Sequence, residues 1–272
     1  MDVKKVVLIT GASSGIGKET AKFLAQNGYT VYAAARRLER MKDLASSGIK
    51  TLSVDVTDDD SMVEGVKQIL EREKRIDILI NNAGFGSYGA IEDVGLEDAR
   101  YQLDVNLFGA ARLIQLILPG MRENKFGKII NISSIGGKFA TPYGGWYHAS
   151  KFALEGLSDA LRNEVKQFGI DVIVIEPGGI KTEWGNIAMD NLAKNSIHSA
   201  YKKDIGIMVN AMPKLESKNA EPVVIAKIIL KAIEAKKPKT RYVGGFMATS
   251  ALIARKILSD RLFDKMIMSQ LK

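Results

Sequence analysis

Six short runs of β-branched and apolar residues alternate with stretches whose apolar positions recur at helical spacing. This alternation limits the fold of the 272-residue chain more than any other feature. The runs are Lys4–Thr10 (KKVVLIT), Tyr29–Ala35 (YTVYAAA), Lys50–Val56 (KTLSVDV), Ile76–Asn82 (IDILINN), Gly127–Ser133 (GKIINIS) and Ile170–Gly179 (IDVIVIEPGG). Near-continuous apolar runs of this length suit strands covered on both faces. Between the first two, Ile16, Thr20, Phe23 and Leu24 recur at helical spacing up to an Asn27-Gly28 stop signal. A polar helix is expected between Asp58 and Arg75, and a long one from about Asp104 to Met121, bent or ended by Pro119. Another runs from Tyr147 to Phe168 with Leu154, Leu157, Leu161, Val165 and Phe168 as its core stripe. Strand–helix–strand repetition implies right-handed crossovers and a parallel sheet with helices on both faces.

The rhythm breaks after the sixth run. Residues 183–219 show no clear strand and mix Trp184, Ile187, Met189, Leu192, Ile207 and Met208 with lysines. An insertion at the carboxyl edge of a parallel sheet is the usual place for a substrate lid. A helix over Glu221–Lys236, a short strand (RYVGG) and a helical tail over residues 249–272 complete the chain. There is no linker or repeat, so residues 1–272 are expected to form one domain.

Composition removes several function classes. With no cysteine there is no disulfide, zinc ribbon or thiol nucleophile, and His148 and His198 are too few for a histidine metal cluster. No metal site is expected. The formal charge is +8, yet the densest basic cluster, KKPKTR at Lys236–Arg241, comes with no nucleic-acid motif. A solvated surface without a nucleic-acid partner is therefore expected. The start, MDVKK, runs straight into VVLIT, and no apolar stretch is long enough to span a bilayer. The expectation is a cytoplasmic protein.

The chemistry-bearing residues lie at strand ends and helix starts. TGASSGIG, Thr10–Gly17, follows the first strand, and its glycines allow a tight turn with close approach to a phosphate at a helix N-terminus. Then come NNAG ending at Gly84, DVN ending at Asn106 and ISS ending at Ser134. Tyr147 stands four residues before Lys151, and PGGIKT spans Pro177–Thr182. Residues four apart on a helix are neighbours, so Lys151 can stabilise a Tyr147 phenolate; the pair can equally be an aromatic ring over an aliphatic stem.

Taken in this order, these segments resemble the short-chain dehydrogenase/reductase family over essentially the whole chain. The hydroxysteroid- and retinol-dehydrogenase-like group is the nearest in pattern. The resemblance implies a single-domain, Rossmann-like, doubly wound parallel sheet with a small lid insertion. It also implies an oxidoreductase that interconverts a carbonyl and an alcohol. Tyr147 would be the general acid/base. Lys151 would acidify it and hold the nicotinamide ribose. Ser134 would bond the substrate oxygen, and Asn106 would interrupt its helix and hold a relay water. Gly11, Ser13, Ser14, Gly15, Ile16 and Gly17 would line the phosphates, and Asp55 and Val56 would meet the adenine. Asn82, Ala83 and Gly84 would border the adenosine ribose, and Pro177, Gly178 and Thr182 the nicotinamide. Two plainer roles stay open: Asp55 as a strand-end cap, and Asn82 as a hydrogen-bonder between strands. His148 points about 100° away from Tyr147 around the helix and is read as packing or rim, not catalysis.

An acidic residue normally ends the second strand of NAD-preferring folds. Here that end reads Ala35-Arg36-Arg37, so NADP(H) is expected over NAD(H), with Arg36 or Arg37 on the 2′-phosphate. The expected substrate is a small lipophilic carbonyl or alcohol. Phe85, Phe139, Tyr143, Trp146, Trp184 and Met189 could line its pocket or could be ordinary core. A homodimer or homotetramer is expected. The apolar tail could serve it, pack on its own subunit or touch a membrane surface. The alternative function is a cofactor-binding redox sensor without turnover.

Overall fold

The computed structural model describes residues 4–269. In chain order the elements are β1 (Val6–Thr10), α1 (Gly15–Gln26), β2 (Thr30–Ala35), α2 (Lys42–Ser46), β3 (Lys50–Ser53), α3 (Asp59–Glu73), β4 (Ile78–Asn81), α4 (Leu96–Leu103), α5 (Gly109–Glu123), β5 (Gly127–Ile132) and α6 (Gly145–Val165). Then follow β6 (Ile170–Pro177), α7 (Glu183–Asn195), α8 (Lys202–Glu216), α9 (Val223–Glu234), β7 (Arg241–Gly244), α10 (Ala248–Ile257) and α11 (Asp260–Ser269). The seven strands pair in parallel in the order β3-β2-β1-β4-β5-β6-β7. This is the parallel sheet with helices on both faces that the alternation implies, in the single-domain, doubly wound, Rossmann-like form that the resemblance implies.

Period-two alternation within the buried strands divides the core between the two faces. Ile9, Ile80, Ile130 and Ile173 meet Leu24 of α1 and Ile225 and Ile229 of α9 on one side. Leu8, Leu79, Ile129 and Val172 meet Ile69 of α3, Leu113 of α5 and Leu161 of α6 on the other. Strand order reverses direction between β1 and β4, so the loops after these strands part and open a crevice at the carboxyl edge.

Three expectations need correction. The helix expected from Asp104 starts earlier, at Leu96, and a wide π-type turn over Asp104–Phe108 separates α4 from α5. Pro119 does not end α5, which continues to Glu123. Pro119 and Gln115 are both exposed, so the Gln115 carbonyl left without its helical donor can turn to water. The tail is two helices rather than one, broken at Leu258 and Ser259, where the Ser259 carbonyl accepts from Leu262 N and Phe263 N. Phe263 is buried with its ring 5.1 Å from Phe139, so part of the tail packs on its own body, while Ile253, Ile257 and Leu262 stay exposed. Residues 270–272 of the expected tail lie outside the described residues. No helix among the described residues is long and apolar enough to cross a membrane.

Candidate active site

A cleft of about 710 Å³ runs along the carboxyl edge of the sheet from Arg36 to Glu216. Its centre is the turn after β1. Gly11 has φ 65°, a left-handed conformation that glycine tolerates best, and a Cβ there would come within 2.8 Å of Ala83 Cα. The turn is tied to the end of β4: Asn82 Nδ2 donates to the carbonyls of Thr10 (2.9 Å) and Gly11 (3.2 Å). Thr10 Oγ1 in turn accepts from the Asn82 and Ala83 amides. Asn82 thus takes the plainer role left open for it, and it lines the cleft as well.

Gly17 does not line the cleft. A Cβ at 17 would sit 2.7 Å from the Gly11 carbonyl oxygen, so Gly17 lets α1 lie directly on the turn. Gly11, Ser13, Ser14, Gly15 and Ile16 do face it. Ser14, the N-cap of α1, makes no side-chain bond to the first turn, and that turn holds no acidic residue. The helix end therefore presents free N–H groups and uncompensated positive dipole to the cleft, which suits a phosphate.

The far wall consists of Ala35, Arg36, Arg37, Val54, Asp55 and Val56. Ala35, in the position of the usual carboxylate, is buried. Arg36 is exposed, donates to Tyr101 OH at 2.6 Å, and lies 4.0 Å from Asp55. Asp55 Oδ1 accepts from Thr57 N and Thr57 Oγ1 at 2.9 and 2.7 Å, so it does cap the strand end while it lines the site.

On the other side of the turn the cleft meets Ser134, Tyr147 and Lys151, from the end of β5 and the first turns of α6. Burial dominates their titration. It pushes the Tyr147 phenol up to about 12, with the Ser134 hydroxyl pulling the other way. It brings the Lys151 ammonium down to about 8, opposed by Glu155. Lys151 Nζ donates to the Ile132 carbonyl at 2.9 Å and stands 5.9 Å from the Tyr147 ring centre. Burial thus moves Tyr147 toward its protonated form, the direction opposite to the acidified phenol that the Tyr147–Lys151 spacing allows.

Asn106 lies in the π-type turn, behind the cleft rather than on it. Its Nδ2 donates to Phe85 O and Ser150 Oγ, both at 2.9 Å, and its Oδ1 accepts from Phe85 N at 3.0 Å. The side chain therefore fixes the loop after β4, and a Cβ on Gly84 would touch both Asn106 Oδ1 and Lys151 Nζ.

His148 is locked in place. Its Nδ1 pairs with Gly136 O at 2.9 Å, and its Nε2 accepts from Thr141 N at 3.1 Å. It binds the loop after β5 to α6, in keeping with a packing role. Below it, Lys138 and Arg241 grip the buried Glu155 at 2.6 and 2.9 Å, and Arg241 also reaches the buried Glu176 at 3.2 Å. The Ser134 loop, α6, β6 and β7 are welded together there.

Pro177, Gly178 and Thr182 lie on the lid side of the cleft. Beyond them the substrate end is aromatic. Trp184 packs 4.9 Å from Tyr147 and 5.9 Å from Tyr88, and Phe85 and Phe139 join the lining. Tyr143 and Met189 pack in the lid's own small core, and neither they nor Trp146 line the cleft. Two contributors carry little local signal. Tyr88 stands out only as an aromatic residue in a glycine-rich loop. Arg40 Nη2 donates to both carboxylate oxygens of Glu183, at 2.5 and 2.7 Å, across 143 positions of sequence, so no local pattern reveals it.

The short chain dehydrogenase family model matches residues 5–192. A 3-ketodihydrosphingosine reductase of Bacteroides thetaiotaomicron is 39% identical over 87% of this chain and 86% of its own. An NADPH-dependent 3-dehydrocapnine reductase of Ornithobacterium rhinotracheale is 35% identical over 98% of both. A short-chain dehydrogenase structure from Streptomyces avermitilis superposes with a TM-score of 0.83 at 31% identity, covering 99% of this chain and 97% of that one. With the fold, the glycine turn and the matched segment in agreement, the chain belongs to the short-chain dehydrogenase family of oxidoreductases.

Proposed function

We propose that the protein is an NADP(H)-dependent reductase of a lipophilic ketone or aldehyde. The observation that carries this reading is a buried phenol, pushed up to about 12, beside Ser134 and Lys151 in one cleft. A group that keeps its proton across the physiological range can donate it to an oxygen gaining negative charge. When bound, a reduced nicotinamide supplies the hydride to the carbonyl carbon. Tyr147 gives its proton to the carbonyl oxygen, Ser134 donates a hydrogen bond to the same oxygen, and charged Lys151 favours the resulting phenolate. The uncapped α1 N-terminus and Ser13–Gly15 would hold the pyrophosphate, and Pro177, Gly178 and Thr182 the nicotinamide amide.

Preference for NADP(H) is supported by buried Ala35 and by Arg36 and Arg37 on the adenosine wall. The Ornithobacterium relative, named for NADPH, agrees. Lipophilic substrates are supported by the Tyr88, Trp184 and Phe139 lining and by the lipid-related names of two relatives. A homo-oligomer is supported by exposed Phe108 and Phe152 beside the small residues Ala153, Gly156 and Ala160 of α6. The test is NADPH consumption against medium- and long-chain ketones and aldehydes, compared with NADH. No consumption with any of them, despite cofactor binding, would favour a sensor instead.

A further inference from the structure

Three carboxylates line the cleft: Asp55, Glu183 and Glu216. Two are already engaged. Asp55 serves Thr57 with Arg36 4.0 Å away, and Glu183 is held by both its oxygens on Arg40. The Glu216 carboxylate has no hydrogen-bond or ion-pair partner among the described residues. It is half-buried at the end of α8 and packed so closely over α7 that any side chain at Gly185 would collide with its Oε1. Gly185 follows Trp184, whose indole packs against the Tyr147 ring. The unpartnered carboxylate therefore lies over the residue that directly follows the one packed on the proton donor.

The positive side chains of the cleft, Arg36, Arg37 and Lys151, lie on the adenosine wall or beside the phenol. None answers Glu216. A half-buried carboxylate attracts a cation more strongly than one in bulk water, and ring faces of Trp184 and Tyr88 favour a cation as well. We propose that Glu216 recognises a positive charge on the substrate, so that the carbonyl compound is one bearing an ammonium group. This rests on the reductase reading of the same cleft, but its test does not need turnover.

The probes are aliphatic amino alcohols with the ammonium two, four or six carbons from the carbinol, each paired with the same alcohol lacking the amine. Both are titrated into the NADP⁺-saturated protein by calorimetry, at low and moderate salt. One amino alcohol should bind about tenfold more tightly than its neutral twin, the worth of a charge-assisted hydrogen bond, and the margin should shrink as salt rises. Glu216→Gln should reduce this preference to about twofold or less, and Glu216→Lys should transfer it to the matching hydroxy acid. Equal binding of every twin pair, no binding of any amine, or a preference that survives Glu216→Gln would overturn the proposal. If the amine preference is present and no ketone is reduced with NADPH, the reductase reading fails and the recognition by Glu216 stands.

Discussion

The two ends of the cleft are built differently. The cofactor end is backbone at the tips of buried strands: Gly11, the free N-terminus of α1, and Ala83 and Gly84 after β4. Its few side-chain bonds, such as Asn82 to the Thr10 and Gly11 carbonyls, shape the chain itself. The aromatic end is side chains from α7, α8 and the loops after β4 and β5, beside a small core of Tyr88, Tyr147, Ala188, Leu192 and Ile205. On the proposed reading, one end would recognise a cofactor common to the family, whereas the other would vary with the substrate. Tyr147 belongs to both, since it lines the cleft and anchors the lid core.

That double membership offers the sharpest way to separate the ends. Tyr147→Phe keeps the packing and removes the proton donor. Turnover should fall by about 10²–10⁴, the usual worth of a general acid, while cofactor affinity stays within about threefold. Activity within tenfold of the parent would break the assignment of Tyr147 as donor. On the cofactor end alone, Ala35→Asp with Arg36→Ala should move preference from NADP(H) toward NAD(H) by about 10- to 100-fold. Titration of both cofactors into parent and variant reads this directly, and an unchanged ratio would count against the arginine.

A pH profile tests the join between the ends. Lys151 has its ammonium brought down to about 8, so it carries charge below that pH and loses it above. Tyr147, pushed up to about 12, keeps its proton through the same range. Saturating reduction should therefore be flat below about pH 8 and fall toward about tenfold per unit above it, one proton being lost. Lys151→Met should be slower at every pH and lack this limb. The smallest effect belongs to the Arg40–Glu183 pair, which ties the segment after β2 to the start of α7. It is partly exposed, so Arg40→Ala should raise the KM for cofactor only about two- to fivefold, read by steady-state kinetics at low salt.

What was legible in the sequence was whatever depends on neighbours along the chain. A buried parallel strand needs a continuous apolar run, a phosphate-binding turn needs glycine at Gly11, and a helix sets Tyr147 and Lys151 on one face. These are constraints on dihedral angles and periodicity, expressed within a few residues. The parallel sheet with helices on both faces follows from the same alternation and from the handedness of crossovers, whereas the strand order does not. Only the tertiary structure decided the rest. It sends Gly17 against the Gly11 carbonyl instead of into the cleft, turns the Asn106 side chain onto Phe85 and Ser150, and carries α5 through Pro119. It joins Arg40 to Glu183, brings Tyr88 to Trp184, and leaves the Glu216 carboxylate without a partner among the described residues. It also pushes the Tyr147 phenol up, because desolvation depends on every element that covers it. Contacts between segments far apart in the chain, up to 143 positions for Arg40 and Glu183, and the burial they create leave no mark on local pattern; they exist only once the sheet has brought its carboxyl edge together.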